Sequence, residues 1–158
     1  MMSRMREKAA QGIQAGDVFS VTRTFSREET EAFGHLTKDY NPVHYDEEFA
    51  GTKGFPQLIL HGLLTAGMVC EVGGQLAWLA TAMEFSFRRP VFFGDTITIT
   101  VTVTSVDQRG WAKAEALYTN QHGEVVVSAK MEGQVPRGES RETLGRRLEE
   151  GDPYNPLR

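Results

Sequence analysis

Leu63-Leu64-Thr65-Ala66-Gly67-Met68-Val69-Cys70-Glu71-Val72-Gly73-Gly74-Gln75-Leu76-Ala77-Trp78-Leu79 is the most apolar helix candidate in the chain. Its apolar residues fall almost all round the helical wheel, so the spacing predicts a buried helix rather than an amphipathic surface one. Gly73-Gly74 predicts its weak point or bend. Directly after it the period changes to two. Phe85 and Phe87 alternate with Glu84, Ser86 and Arg88, and Pro90 interrupts. Phe93-Gly94-Asp95 reads as a turn. From Thr96 to Thr104, Ile97, Ile99, Val101 and Val103 share one face and five threonines the other, the signature of a half-buried strand. Trp111 to Tyr118 is a strand with Ala112, Ala114 and Ala116 on one face, small enough to let a helix lie close. Val125 to Val135 is the last strand, with Val125, Val127, Ala129 and Met131 on one face. Asp107–Gly110 and Asn120–Gly123 supply the turns between them.

Working toward the N-terminus, Val18 to Phe25 alternates as a strand. Ser26-Arg27-Glu28-Glu29 then reads as a capping box opening a helix to about Leu36. Pro42 stops simple helical continuation, and 39–57 is turn-rich. Residues 1–15 read as a polar, frayed leader, 16–136 as a single domain, and 137–158 as a polar tail with a short helix near Ser140–Glu149. In that tail five arginines oppose five acidic residues, so it carries no net field. Strand, helix, long turn, buried helix and then meandering strands imply an α+β domain, a curved antiparallel β-sheet wrapped round one long buried α-helix. Such a sheet leaves open edges and part of the helix uncovered. Pairing with a second copy, as a homodimer or a multiple of one, addresses both.

Composition sets the outer bounds. The 158 residues are 40% hydrophobic and 24% charged, an ordinary globular balance. A net charge of −4 argues against a nucleic-acid partner, because phosphate contacts need a surplus of Lys and Arg. No run of about 18 apolar residues predicts a membrane span. The N-terminal stretch has no apolar segment of the kind a secretory signal needs. A lone cysteine, Cys70, fits a reducing, cytoplasmic setting. Zinc-ligand spacings, a phosphate-binding Gly loop and a GxSxG elbow are missing from the sequence, so no metal or cofactor site is expected.

Asp39-Tyr40-Asn41-Pro42-Val43-His44 places a carboxylate and an imidazole within six residues across an Asn-Pro turn. Together they can hold a water, the carboxylate orienting it or accepting its proton and the imidazole exchanging one near neutrality. The competing reading makes Asp39 a turn acceptor and His44 a packed residue. His61-Gly62 stands where the run Leu58–Leu60 meets the apolar helix. A glycine amide there is open to a ligand and able to meet an oxyanion, unless the pair is only a tight turn. Arg88 and Arg89 read as a solvated pair or as phosphate contacts, His35 and His122 as surface residues, and Trp78 and Trp111 as core or interface anchors.

Taken together, Asp39-Tyr40-Asn41-Pro42-Val43-His44, Leu60-His61-Gly62-Leu63 and Arg89-Pro90-Val91-Phe92-Phe93-Gly94-Asp95 resemble the MaoC-like family, the hot-dog-fold (R)-specific enoyl-CoA hydratases. The resemblance spans about Gly16 to Pro136. It implies that Asp39 and His44 are the catalytic pair, that the Gly62 amide is the oxyanion donor, and that Asn41 and His61 position substrate or loop. Some family members carry a serine nine residues past the His of the His-Gly pair; here it is Cys70, a weaker donor. The implied reaction is reversible hydration of a trans-2-enoyl thioester to the (R)-3-hydroxyacyl thioester. It needs no cofactor beyond the CoA or carrier-protein pantetheine that the substrate carries. A hot-dog acyl-CoA thioesterase and a non-catalytic acyl-CoA-binding module are the alternatives.

Overall fold

The computed structural model describes residues 4–157. Its frame is a five-stranded antiparallel sheet built from β1 (Val18–Thr24), β2 (Leu79–Phe87), β3 (Thr96–Val106), β4 (Trp111–Thr119) and β5 (Val125–Gln134), in the order β1-β3-β4-β5-β2. The last three strands form the expected meander. β2 does not pair with β3; it crosses to the far side of β5, where Phe85 faces Ala129 and Phe87 faces Val127. The sheet therefore stays open, with β1 and β2 as its edges.

The buried face follows the period-two reading. Ile97, Ile99, Val101 and Val103 are fully buried, and so are Ala112, Ala114 and Ala116. The threonine face looks outward, where Thr22 and Thr24 of β1 pair hydroxyl to hydroxyl with Thr98 and Thr96, each at 2.8 Å. On the inner face lies the apolar helix, in two pieces: α4 (Gly62–Ala66) and α5 (Met68–Gln75). Met68, Val69, Val72 and Leu76 pack onto the β-face as one cluster. The break falls at Gly67, not at Gly73-Gly74 as expected. There the ladder tightens, with the Cys70 amide donating to the Gly67 carbonyl at 2.9 Å, and a side chain at Gly67 would sit 3.1 Å from the Leu63 carbonyl. The helix is also shorter than expected. Ala77 takes a left-handed φ of 48°, and β2 begins at Leu79. Nor is it buried all round, since Leu63, Cys70 and Gly74 are exposed.

The Ser26–Glu29 capping box forms in both directions and opens α2 (Arg27–Thr37). The N-terminal segment differs from the expected frayed leader, and the tail contains the short helix expected near 140–149, docked rather than standing apart. α1 (Arg4–Gln11) buries Ala9 against the core, and α6 (Glu139–Glu149) packs beside it. Beyond α6, the Asn155 carboxamide pairs with that of Gln75 at 3.0 and 3.1 Å, tying the C-terminal segment to the end of α5.

A buried polar contact joins the apolar helix to the sheet. The Tyr118 hydroxyl, fully buried on β4, donates to the Ala66 carbonyl at 2.7 Å, beside the break. Burial pushes this phenol well above the usual tyrosine range, so it stays a donor at every physiological pH. Tyr118→Phe is expected to cost about 1–2 kcal/mol in urea unfolding, with an unchanged m-value; a loss below about 0.3 kcal/mol would show that the bond does not hold the helix.

Candidate active site

The segment between α2 and α4 builds the site. Lys38 ends α2 in the left-handed region, φ 62°, and turns the chain into Asp39. Asn41 then caps a 3-10 turn, Pro42–His44, its Oδ1 accepting from the Val43 amide at 3.3 Å. Asn41 thus braces the loop, and its own backbone N–H donates to Asp39 Oδ1 at 3.2 Å. A short helix, α3 (Glu47–Thr52), follows. The strand-like run Leu58–Leu60 comes next, the Leu60 amide bonding the Val91 carbonyl at 2.8 Å and Ile59 bridging to Phe92. The crossover from β2 to β3 is in this way fastened beneath the loop.

His44 is buried, and its Nδ1 lies 2.8 Å from the Ile59 carbonyl. A carbonyl only accepts, so Nδ1 carries the proton and Nε2 is left with its lone pair. That lone pair faces Asp39 Oδ2 at 4.0 Å. The gap is too long for a direct hydrogen bond. It suits one water lying off the line and bonded to both. Burial is the largest influence on His44 and lowers its pKa, and the neighbouring His61 adds to this. The Ile59 carbonyl and the Asp39 carboxylate act in the opposite sense without overcoming it.

His61 stands behind this pair. Its ring stacks on His44 with centroids 3.9 Å apart, and its Nε2 donates to the Asp39 backbone carbonyl at 3.0 Å. The Tyr45 hydroxyl reaches the same carbonyl at 3.4 Å, in space that only a glycine at position 34 leaves open. His61 therefore anchors the Asp39 backbone and does not line the cavity. Asp39, His44 and His61 each bring one ligand atom within 4.8 Å of the others. His61 spends Nε2 on the backbone, and its buried Nδ1 has no hydrogen-bond partner.

A cavity of about 350 Å³ opens beside His44. Gly62 and Thr65 of the helix line it, as do Phe55, Ile59, Leu60 and Val127, and residues 87–91 close one side with Arg88 and Arg89 at the wall. Gly62 is the first residue of α4, so its amide has no carbonyl one turn back. A side chain at Gly62 would meet the Phe87 ring at 2.8 Å. Cys70 is not brought here: it is exposed and lines a separate cavity of about 160 Å³ with Trp78, Met83 and Met131. The expectation that Cys70 touches the site is corrected. Position 70 lies beyond the break at Gly67, where its side chain borders that other cavity. Phe87, one of four phenylalanines read as core, interface or acyl-pocket lining, is the one of them at this cavity. Two contributors escaped the sequence reading. The Ile59 carbonyl leaves no sequence signal. Thr65 leaves one, being a hydroxyl three residues after Gly62 and so on the same helix face.

With His44 held neutral below the ordinary histidine value, any base function it has should survive into mild acid. Activity is lost as pH falls through the folded-state value, not as pH rises. The acid limb of kcat/KM is expected below about pH 6.5. Stability should fall in the same direction, because unfolded His44 takes up its proton at higher pH than folded His44 does. A limb at or above pH 6.5, with thermal stability flat from pH 7 to 5.5, would contradict this.

The MaoC like domain family matches residues 8–126, most of the chain. The (R)-specific enoyl-CoA hydratase of Aeromonas caviae is 34% identical over 102 residues, 62% of this chain and 76% of that one. The 3-hydroxybutyryl-CoA dehydratase of Methylorubrum extorquens is 26% identical over 152 residues, 94% of this chain and 97% of that one. The solved (R)-hydratase from A. caviae superposes with a TM-score of 0.74 at 30% identity, covering 80% of this chain and 99% of its own. The open five-stranded sheet laid on a central helix is the hot-dog fold of these neighbours, and the chain belongs to the MaoC-like domain family.

Proposed function

We propose that this protein reversibly hydrates a trans-2-enoyl thioester, giving the (R)-3-hydroxyacyl thioester, with Asp39 and His44 as its acid–base pair. The observation that carries the reading is the pair of acceptors facing each other across 4.0 Å, Nε2 of His44 and Oδ2 of Asp39. A guest between them must bring two protons, and water does. Relatives named as hydratase and dehydratase describe the two directions of this one equilibrium.

Conjugation to the thioester makes C3 of the enoyl group electrophilic. The water's oxygen bonds to C3 as its proton passes to the pair. The C2–C3 π electrons shift toward C1, and negative charge collects on the thioester oxygen. The Gly62 amide, open at the cavity wall, is the donor placed to meet it. When the carbonyl re-forms, the pair returns a proton to C2, so the sum is addition of one water. A proton on His44 is stabilised on both sides, by the Ile59 carbonyl at Nδ1 and the Asp39 carboxylate beyond Nε2. The reaction calls on no metal or redox group; the CoA or pantetheine arrives with the substrate. Arg88 and Arg89 lie at the cavity wall, where charged phosphates of such a carrier find partners.

The test is direct. With crotonyl-CoA and longer enoyl-CoAs, loss of the enoyl absorbance without release of free thiol is expected. Thiol release indicates the thioesterase alternative, and no change with tight binding indicates the binding module. Asp39→Asn and His44→Ala should each lower kcat about 10²–10⁴-fold. The double variant should fall little further, because both groups hold one water. Activity of Asp39→Asn within about threefold of the parent would place the chemistry elsewhere.

The partner surface is proposed to be a second copy of the chain. β2 is an edge strand that exposes Leu79, Met83 and Phe87, and a bare apolar edge of this kind is a site of pairing. Among the described residues no helix is long and apolar enough to cross a membrane. Light scattering should give roughly twice 17.6 kDa, and Met83→Asp should shift the mass toward the monomer. A monomeric parent at micromolar concentration would refute the pairing.

A further inference from the structure

Thr65 is 1% exposed, and its Oγ1 has no hydrogen-bond partner. A threonine in a helix ordinarily spends its hydroxyl on a carbonyl one turn back, and a buried hydroxyl left unpaired is costly. The carbonyl one turn back belongs to His61. It receives the backbone amides of Leu64 and Thr65 at 3.1 and 3.3 Å, but not the Thr65 hydroxyl. Thr65 instead lines the cavity that His44 and Gly62 also line. Most of that wall is hydrocarbon: Phe55, Ile59, Leu60, Phe87, Val91 and Val127.

We propose that the Thr65 hydroxyl donates a hydrogen bond to the thioester carbonyl oxygen, as a second donor beside the Gly62 amide. Thr65 is three residues past Gly62, so the two share a helix face. The Cα–Cβ bond of a helical residue tilts toward the N-terminus, which carries the hydroxyl back over the turn that Gly62 opens. Of the substrate's polar groups, the attacking water belongs to Asp39 and His44. The thioester oxygen, where charge collects, is the acceptor left for a donor on this face. A hydroxyl also rotates, so it can follow that oxygen from carbonyl to enolate. The proposal rests on the hydratase reading above and goes beyond it by naming a side chain for transition-state binding.

Thr65→Val keeps the shape and removes the hydroxyl, and Thr65→Ser keeps the hydroxyl and removes the methyl. On the enoyl-CoA that the parent hydrates best, Thr65→Val should lower kcat about 10²–10³-fold, the scale for loss of one oxyanion donor, with KM within about threefold. Thr65→Ser should recover kcat to within about fivefold of the parent. Because the hydroxyl is unpaired in the free protein, Thr65→Val should keep its Tm or gain about 2–4 °C. A Thr65→Val enzyme with parental kcat overturns the donor role, as does a Tm loss with no recovery of kcat in Thr65→Ser, the pattern of a purely structural threonine. A parent that hydrates no enoyl-CoA overturns the hydratase reading itself. A parent that does so while Thr65→Val is unimpaired overturns only this inference.

Discussion

The hydrogen bond from His44 Nδ1 to the Ile59 carbonyl governs the site. It decides which imidazole nitrogen holds the proton, and so which one is bare. With Nδ1 committed at 2.8 Å, Nε2 must face Asp39 as an acceptor. Had the ring been free to choose its tautomer, Nε2–H and the carboxylate could have closed into a plain hydrogen bond with no room for a guest. The Ile59 carbonyl is itself held, since its residue's amide donates to the Val43 carbonyl at 3.3 Å and its neighbour Leu60 bonds Val91. Tautomer, loop and crossover are therefore one connected piece, and a disturbance of the crossover reaches the imidazole through the Leu60–Val91 backbone bond and the bond from His44 Nδ1 to the Ile59 carbonyl.

The unequal burial of the pair suits its work. His44 is enclosed, which keeps it neutral with Nε2 open to take a proton, while the Asp39 carboxylate is about half exposed, with one oxygen tied to the Asn41 amide. Two fully buried charges would carry a desolvation cost that their attraction repays only with additional hydrogen bonds. Here the resting pair has a single formal charge, and solvent shares it. A second charge forms only when His44 takes a proton, beside a carboxylate already in place. His61 contributes without entering the cavity, because its ring and its bond to the Asp39 carbonyl keep the backbone of that carboxylate still.

Much of this was legible in the chain and some was not, for physical reasons. Strand β3 was plain because alternating branched apolar residues and threonines fit only a half-buried sheet. The capping box at Ser26 and the Asn-Pro turn were plain because their side chains satisfy backbone groups nearby in sequence. The helix break was not: two adjacent glycines outweigh one on local pattern and point to Gly73-Gly74, whereas the ladder tightens at the single Gly67, crowded by the Leu63 carbonyl of its own preceding turn. The place of β2 beyond β5 was hidden because strand order depends on long-range pairing, not on local pattern. The chain ends misled for a related reason: Ala9 and Asn155 read as leader and tail until the partners that bury them are known. In the site, spacing made Asp39, Asn41, His44 and Gly62 candidates beside a plain turn-and-packing reading, and the family resemblance supplied their roles. Cys70 was carried by family position alone, and the bend at Gly67 stands between it and the residues it was grouped with.

Chemistry and selectivity are housed in different parts of the fold. The groups proposed for the chemistry, Asp39, His44, Gly62 and Thr65, come from one continuous stretch, whose loops are pinned by backbone hydrogen bonds, while Arg88 and Arg89 come from the crossover. The hydrocarbon wall comes largely from elsewhere: Phe87 at the end of β2, Pro90 and Val91 of the crossover, and Val127 of β5. Phe87 is 53% exposed in the single chain and sits on the edge strand proposed to meet a second copy, so contact with Gly62 on one side and that partner on the other sets the position of its ring. A wall of this kind can be reshaped to fit a longer or branched acyl chain without moving the Ile59 carbonyl or the tautomer it fixes. The reverse does not hold. A change that shifts Gly62 moves both the amide proposed to meet the thioester oxygen and the surface on which Phe87 rests, so in this reading the helix start couples rate to selectivity.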